Sequence, residues 1–259
     1  PSLRRDVRRQ SETVSFAPPH LRLQALGQAQ VWVGGIQITG SDWQAQVARD
    51  MVFCLLAHRE GLTGEALGLF FWPDKDPLRL NMHLKKTLYR IRRALGDASV
   101  VFENGRYRFN RSLDYEYDVE LFQESIAAAR TATDAAMRIV AYEEAVRLYQ
   151  GSYLPDVDGT WVLTARERLW QAYRGAAMAL VQTHLERQEP ETALRYCYGL
   201  LAEDPCQEDV HRLAMRAHAA LGNRSAVVRQ FEHCKQLLAQ ELDVQPSPQT
   251  QSLYRKLVG

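Results

Sequence analysis

The chain has 259 residues, enough for one large core or two smaller ones. Its 46% hydrophobic and 24% charged content is that of a globular protein, not a disordered, fibrous or membrane one. The near-balance of 32 basic and 31 acidic residues hides an asymmetry, net +4 over 21–110 and −5 over 111–259, which suggests different partners for the two stretches.

The longest notable apolar run, 51–57, is far short of a membrane span, and no charged-then-apolar leader opens the sequence, so a cytoplasmic protein without membrane contact is expected. Four cysteines occur outside any CxxC pair and read as reduced thiols. Residues 1–20, poor in apolar side chains and ending near Pro18-Pro19, read as a linker or arm. From Leu21 three short glycine-punctuated strands follow in "LRLQALG", "QVWVGG" and "IQITG". Ser41-Asp42 offers an N-cap for a helix over about 43–59, whose Val47, Met51, Cys54 and Leu55 share a buried face.

Thr63 can cap a short helix through "GEALGLFF". After "WPDKDP", Asp76 is an N-cap and Pro77 suits the first helical position, where its missing N–H costs nothing. A helix over 77–95, about 28 Å long, then stops at Gly96. Next, "SVVFENGRYRFN" places two alternating strands around Asn104-Gly105, a strong hairpin signal. The sum is a winged helix-turn-helix with an extra sheet in front.

Beyond Asp118 only helical signals follow, over about 118–130, 133–149, 160–187, 190–202, 207–221, 224–241 and 248–257. Starts near Glu191 and Arg224, with Leu194/Val228 and Cys197/Phe231 in matching places, suit tetratricopeptide-like hairpins. The expected fold class is therefore an α+β N-terminal winged helix-turn-helix domain over 21–112, followed by an all-α tetratricopeptide-like domain over 113–259.

The helix over 77–95 carries the chemistry. Leu80, Leu84, Leu88, Ile91 and Leu95 fall in one sector of its wheel. Met82, Lys86, Tyr89 and Arg93 lie opposite, flanked by Arg79, Lys85, Arg90 and Arg92. Cations near a helix C-terminus also suit its dipole, and a solvated face is the plain alternative. Without acidic partners at i±4, however, these charges repel one another, and phosphate neutralisation explains them better. Arginine and lysine on a helix in the major groove can pair with guanine. Along the hairpin, Tyr107 and Phe109 should face the core while Arg106 and Arg108 face a DNA backbone or minor groove, or else guard an edge strand.

No GxxxxGK[ST], GxGxxG, HExxH or GxSxG motif occurs, so neither an enzyme nor a cofactor is expected. Cys54 with His58, and His211, Met215 and His218, have spacings that bring donors together, but the first pair reads as core, the second set lacks a nearby carboxylate and makes a poor site, and no metal is expected. Tyr149, Trp161, Trp170 and Tyr173 suggest a ligand pocket or, more simply, repeat core. The "YLPDVDGTWV" segment interrupts the helices as a contact loop or hinge. RNA recognition lacks the aromatic sheet face that base stacking needs.

"FFWPDKDPLRLNMHLKKTLYRIRRALG" followed by "NGRYRF" resembles the OmpR-type winged-helix domain of bacterial regulators. "LLAEDPCQEDVHRLAMRAHAALGNRSAVVRQFEHCKQLLAQELDVQPSPQTQSLYRKL" resembles the C-terminal half of the bacterial transcriptional activator domain. Together they cover essentially 21–258 and are similar to the antibiotic regulatory proteins and their larger relatives. The resemblance implies a nucleoid-associated transcriptional activator that binds tandem promoter repeats in double-stranded DNA. Base contacts would come from Lys85, Lys86, Tyr89 and Arg90, and backbone contacts from Arg79, Arg92, Arg93, Arg106 and Arg108. The helical half would contact RNA polymerase or a second copy on adjacent sites. A rival reading is a protein-interaction scaffold whose winged domain does not read DNA.

Overall fold

The computed structural model describes residues 20–259. The arm expected over 1–20 lies almost wholly outside the described residues. The chain divides into two compact units that are interleaved in sequence: up to Leu121 together with 150–169, and 122–149 together with 170–259.

The first unit opens with β1 (Leu21–Gln24), β2 (Gln30–Val33) and β3 (Ile36–Gln37). These pair antiparallel through Leu21↔Val33 and Val33↔Ile36. The sheet is mixed rather than purely antiparallel, because β6 (Tyr115–Tyr117) adds to the far side of β1 in parallel, Leu21 opposite Tyr115, giving the order β3-β2-β1-β6. The helix expected over 43–59 is broken. Thr39 opens a short α1 (Gly40–Trp43), whose Asp42 carboxylate accepts from the Thr39 N–H at 2.8 Å and hydroxyl at 2.7 Å. Ser41 and Asp42 therefore lie inside this turn and do not cap the longer helix. Gln44 (φ 58°) then ends the turn in the left-handed region, and α2 (Gln46–Ala57) begins afresh after extended Ala45.

α3 (Gly64–Phe71) and α4 (Pro77–Leu95) follow, then a single 3-10 turn and the hairpin of β4 (Val100–Glu103) and β5 (Arg106–Phe109). Asn104 (φ 51°) and Gly105 (φ 74°) are both left-handed, as a two-residue primed turn requires. A bridge between Leu62 and Tyr107 adds the α2–α3 connection to the hairpin's edge.

Asp118 opens α5 (Asp118–Thr131) and ties it to the sheet. Its carboxylate accepts from the N–H groups of Ala25, Leu26 and Val119, each at 2.8 Å, while burial pushes its pKa up to about 6. Arg111 pairs with buried Glu120 and donates to the Leu56 carbonyl at 2.7 Å, and the Tyr115 hydroxyl reaches Glu120 at 2.9 Å. A buried carboxylate thus meets the partners it needs. The 153–162 segment makes contact through its first two residues. Tyr153 bridges Leu26, the Leu154 N–H donates to the Ala25 carbonyl at 2.9 Å, and both side chains are fully buried. Arg166 holds the turn from outside by donating to the carbonyls of Tyr153 (2.9 Å) and Leu154 (2.6 Å).

The second unit is helical: the end of α5, α6 (Ala135–Leu148), most of α7 (Thr160–Glu186), α8 (Pro190–Glu203), α9 (Glu208–Ala220), α10 (Arg224–Leu242) and α11 (Pro248–Val258). α8/α9 and α10/α11 are consecutive hairpins starting at Pro190 and Arg224, one tetratricopeptide repeat of about 34 residues apart. Asn223 caps α10 by accepting from the Ala226 N–H at 3.0 Å. Glu208 anchors the start of α11 by accepting from the Ser247 N–H at 2.9 Å and the Thr250 hydroxyl at 2.6 Å. Phe231 stacks on Tyr254 at 4.1 Å. The aromatic set does not form one pocket. Tyr149 stacks on Tyr173 at 4.2 Å beside Trp170 inside this unit, whereas Trp161 belongs to the first unit, 6.3 Å from Phe71.

Candidate nucleic-acid interface

The candidate interface centres on α4. Asp76 accepts from the Arg79 N–H at 3.0 Å, Pro77 takes the first turn, and Gly96 (φ 96°) ends the helix where a side chain would be strained. Leu84, Thr87, Leu88, Ile91 and Leu95 are buried. Gly68 on α3 admits α4 closely, since a Cβ there would lie 2.1 Å from Leu80 Cδ1. Trp72 lies against His83, ring centroids 5.6 Å apart, at the mouth of the α3–α4 turn.

The opposite face of α4 is cationic. Lys85, Lys86, Tyr89 and Arg93 are exposed, and among the described residues none of the three cations forms an ion pair. Arg79, also exposed, lies 3.3 Å from Asp76. Arg92 is half-buried and donates to the Val100 carbonyl at 3.3 Å, which ties the helix to the root of the hairpin. Arg90 is half-buried on the other flank, its Nε without a partner among the described residues. The four residues expected to read bases thus spread over an arc of roughly 140° at 100° per residue. Lys85 and Tyr89 face the hairpin, Lys86 sits near the apex, and Arg90 lies on the far side.

On the hairpin, Phe109 is buried as the alternation requires, whereas Tyr107 is only half-buried and turns toward the cleft against α4. Arg106 is exposed, but its Nη1 donates to the Gly61 carbonyl at 3.0 Å. Arg108 is half-buried and paired with Glu103. Both wing arginines are therefore partly committed to the fold.

Between α4 and the hairpin runs an open cleft of about 600 Å³, lined by Lys85, Leu88, Tyr89, Arg92, Arg93, Asp97, Phe102 and Tyr107. Phe102 was absent from the residues singled out in the sequence, yet it is 57% exposed and stands 4.6 Å from Tyr107. The signal was there. A two-residue turn at Asn104-Gly105 pairs residue 103 with 106 and so puts Phe102 across from Tyr107. Met82 was placed on the outer face by the wheel and is exposed there beside Leu78.

His58 turns its Nδ1 back to the Cys54 carbonyl at 2.8 Å, and burial pushes the Cys54 thiol well up. His211 and Met215 are fully buried, while His218 pairs with the Tyr198 hydroxyl at 2.9 Å. Among the described residues no group of three His, Cys, Asp or Glu side chains is placed to hold a metal, and no helix is long and apolar enough to cross a membrane.

Residues 117–258 match the family model described as the bacterial transcriptional activator domain. The chain belongs to the bacterial transcriptional activator domain family. This family is one of transcriptional regulators, and no catalytic family is indicated. Among its relatives, the regulatory protein AfsR of Streptomyces griseus is 27% identical over 92% of this chain. The chain spans only 24% of that protein's length. The transcriptional regulatory protein MoaR1 of Mycobacterium bovis is 24% identical over 80% of this chain and 70% of its own. Among solved structures, Mycobacterium tuberculosis EmbR, in complex with a low-affinity phosphopeptide, superposes with a TM-score of 0.71 at 19% identity, covering 93% of this chain and 65% of that one. The fold is a winged helix followed by a tetratricopeptide-like helical arrangement.

Proposed function

We propose that this chain is a sequence-specific DNA-binding regulator, an activator, that docks α4 in the major groove of double-stranded promoter DNA. The observation that carries the reading is the exposed set Lys85, Lys86 and Arg93, which has no ion-pair partner among the described residues. Three unpaired cations on one helix repel one another unless an anion covers them, and a duplex supplies regularly spaced phosphates. Lys85, Lys86, Tyr89 and Arg90 contact base edges, while Arg79, Arg92, Arg93, Arg106 and Arg108 position the protein on the backbone. The helical unit, with Met137 and Val140 exposed on α6, contacts RNA polymerase or a second copy on an adjacent repeat.

Gel shift of the full chain against promoter fragments, with excess nonspecific competitor, tests the reading. A retained complex on particular fragments supports it. Equal displacement of every fragment overturns sequence-specific binding, and a scaffold role would then stand in its place.

A further inference from the structure

The cleft between α4 and the hairpin is chemically two-sided. Lys85, Arg92 and Arg93 supply positive charge, while the rings of Tyr89 and Phe102, both more than half exposed, supply apolar faces. Phe102 stands 4.6 Å from Tyr107 and keeps more than half of its surface exposed. A single carboxylate, Asp97, lines the same cleft.

Resting on the DNA-binding reading, we propose that this cleft holds one strand of the duplex and that Phe102 is a further DNA-contacting residue, packing on a deoxyribose between two phosphates. A nucleic-acid backbone alternates an anion with an apolar sugar face, and the cleft offers both cations and aromatic carbon. Paired bases are stacked within the duplex and present no ring face to a side chain outside it, so apart from a thymine methyl the sugar is the apolar partner within reach. Asp97 repels phosphate and sets the end of the tracked segment. Sugar contact carries no sequence information, so Phe102 adds affinity equally on every duplex.

The test uses the full chain and fluorescence anisotropy with two labelled duplexes, one a selected binding site and one scrambled. Phe102→Ala should weaken binding to both by the same factor, roughly tenfold for a phenyl that leaves water on binding. The slope of log affinity against log salt should stay unchanged, because no charge is lost. Phe102→Leu should restore most of the loss. Thermal melting of Phe102→Ala should match the parent, since the ring is largely exposed. Unchanged affinity of Phe102→Ala, with the parent binding normally, overturns the sugar contact alone. A parent chain that binds neither duplex overturns the DNA reading and this proposal together. A loss confined to the selected site makes Phe102 a base reader and likewise overturns the proposal.

Discussion

Gln230 on α10 lies 2.6 Å from His211 Nδ1 on α9, while the other ring nitrogen lies 2.9 Å from the Pro205 carbonyl. A carbonyl only accepts, so Nε2 carries the proton and Nδ1 receives the amide N–H of Gln230. The ring is fully buried and neutral, and burial lowers its pKa below the ordinary 6.5, with nearby His233 acting in the same direction. The native state therefore binds fewer protons here than the unfolded chain. The resulting stability is present above pH 6.5 and is lost as pH falls through the depressed native value. The His211 contribution to stability should fall between about pH 7.5 and pH 5, opposite in sign to that of Asp118, whose pKa is raised to about 6. Gln230→Glu, which places an acceptor against Nδ1, should flatten that fall and raise the His211 titration seen by NMR.

Gly61 sets the hairpin's seat. Its φ is +74°, and a Cβ would lie 2.7 Å from the Tyr107 carbonyl and 2.3 Å from Arg108 Cγ. Gly61→Ala adds left-handed strain to a backbone clash, and chemical denaturation should show a loss of about 2 kcal/mol or more.

Lys86 and Arg90 occupy the apex and far flank of α4, away from the hairpin cleft. Replacing both with alanine should cut affinity for the selected site by about 2 kcal/mol or more while leaving nonspecific affinity far less affected. Competition binding against scrambled duplex reads the difference.

Arg93, exposed and without an ion-pair partner among the described residues, should behave differently. Arg93→Ala should weaken selected and scrambled duplexes alike and lower the salt slope by about 1, as expected for one phosphate contact. A salt titration measures it without any change in melting temperature.

The parts legible in the sequence are those decided within a few residues. Asp76-Pro77, Gly96 and Asn104-Gly105 each fix a local backbone geometry, and all three sit where their chemistry placed them. The leucine spacing of α4 likewise separated its buried and exposed faces. What escaped depends on distant partners. "YEY" is too short to announce a strand, and β6 exists because β1, more than ninety residues earlier, offers it an edge. The break at Gln44 runs against a continuous helical pattern and is allowed because the Asp42 carboxylate closes the preceding turn onto Thr39. The commitment of Arg106 to the Gly61 carbonyl is equally non-local, since that loop is forty-five positions away.

The first unit is assembled from two stretches of chain with part of the second unit written between them, and Tyr153 and Leu154 reach it only from the later stretch. Such a protein resists gene-level shuffling. Grafting the first unit onto another effector would need a split insert, because a cut after Leu121 releases its strands but leaves buried Tyr153 and Leu154 behind.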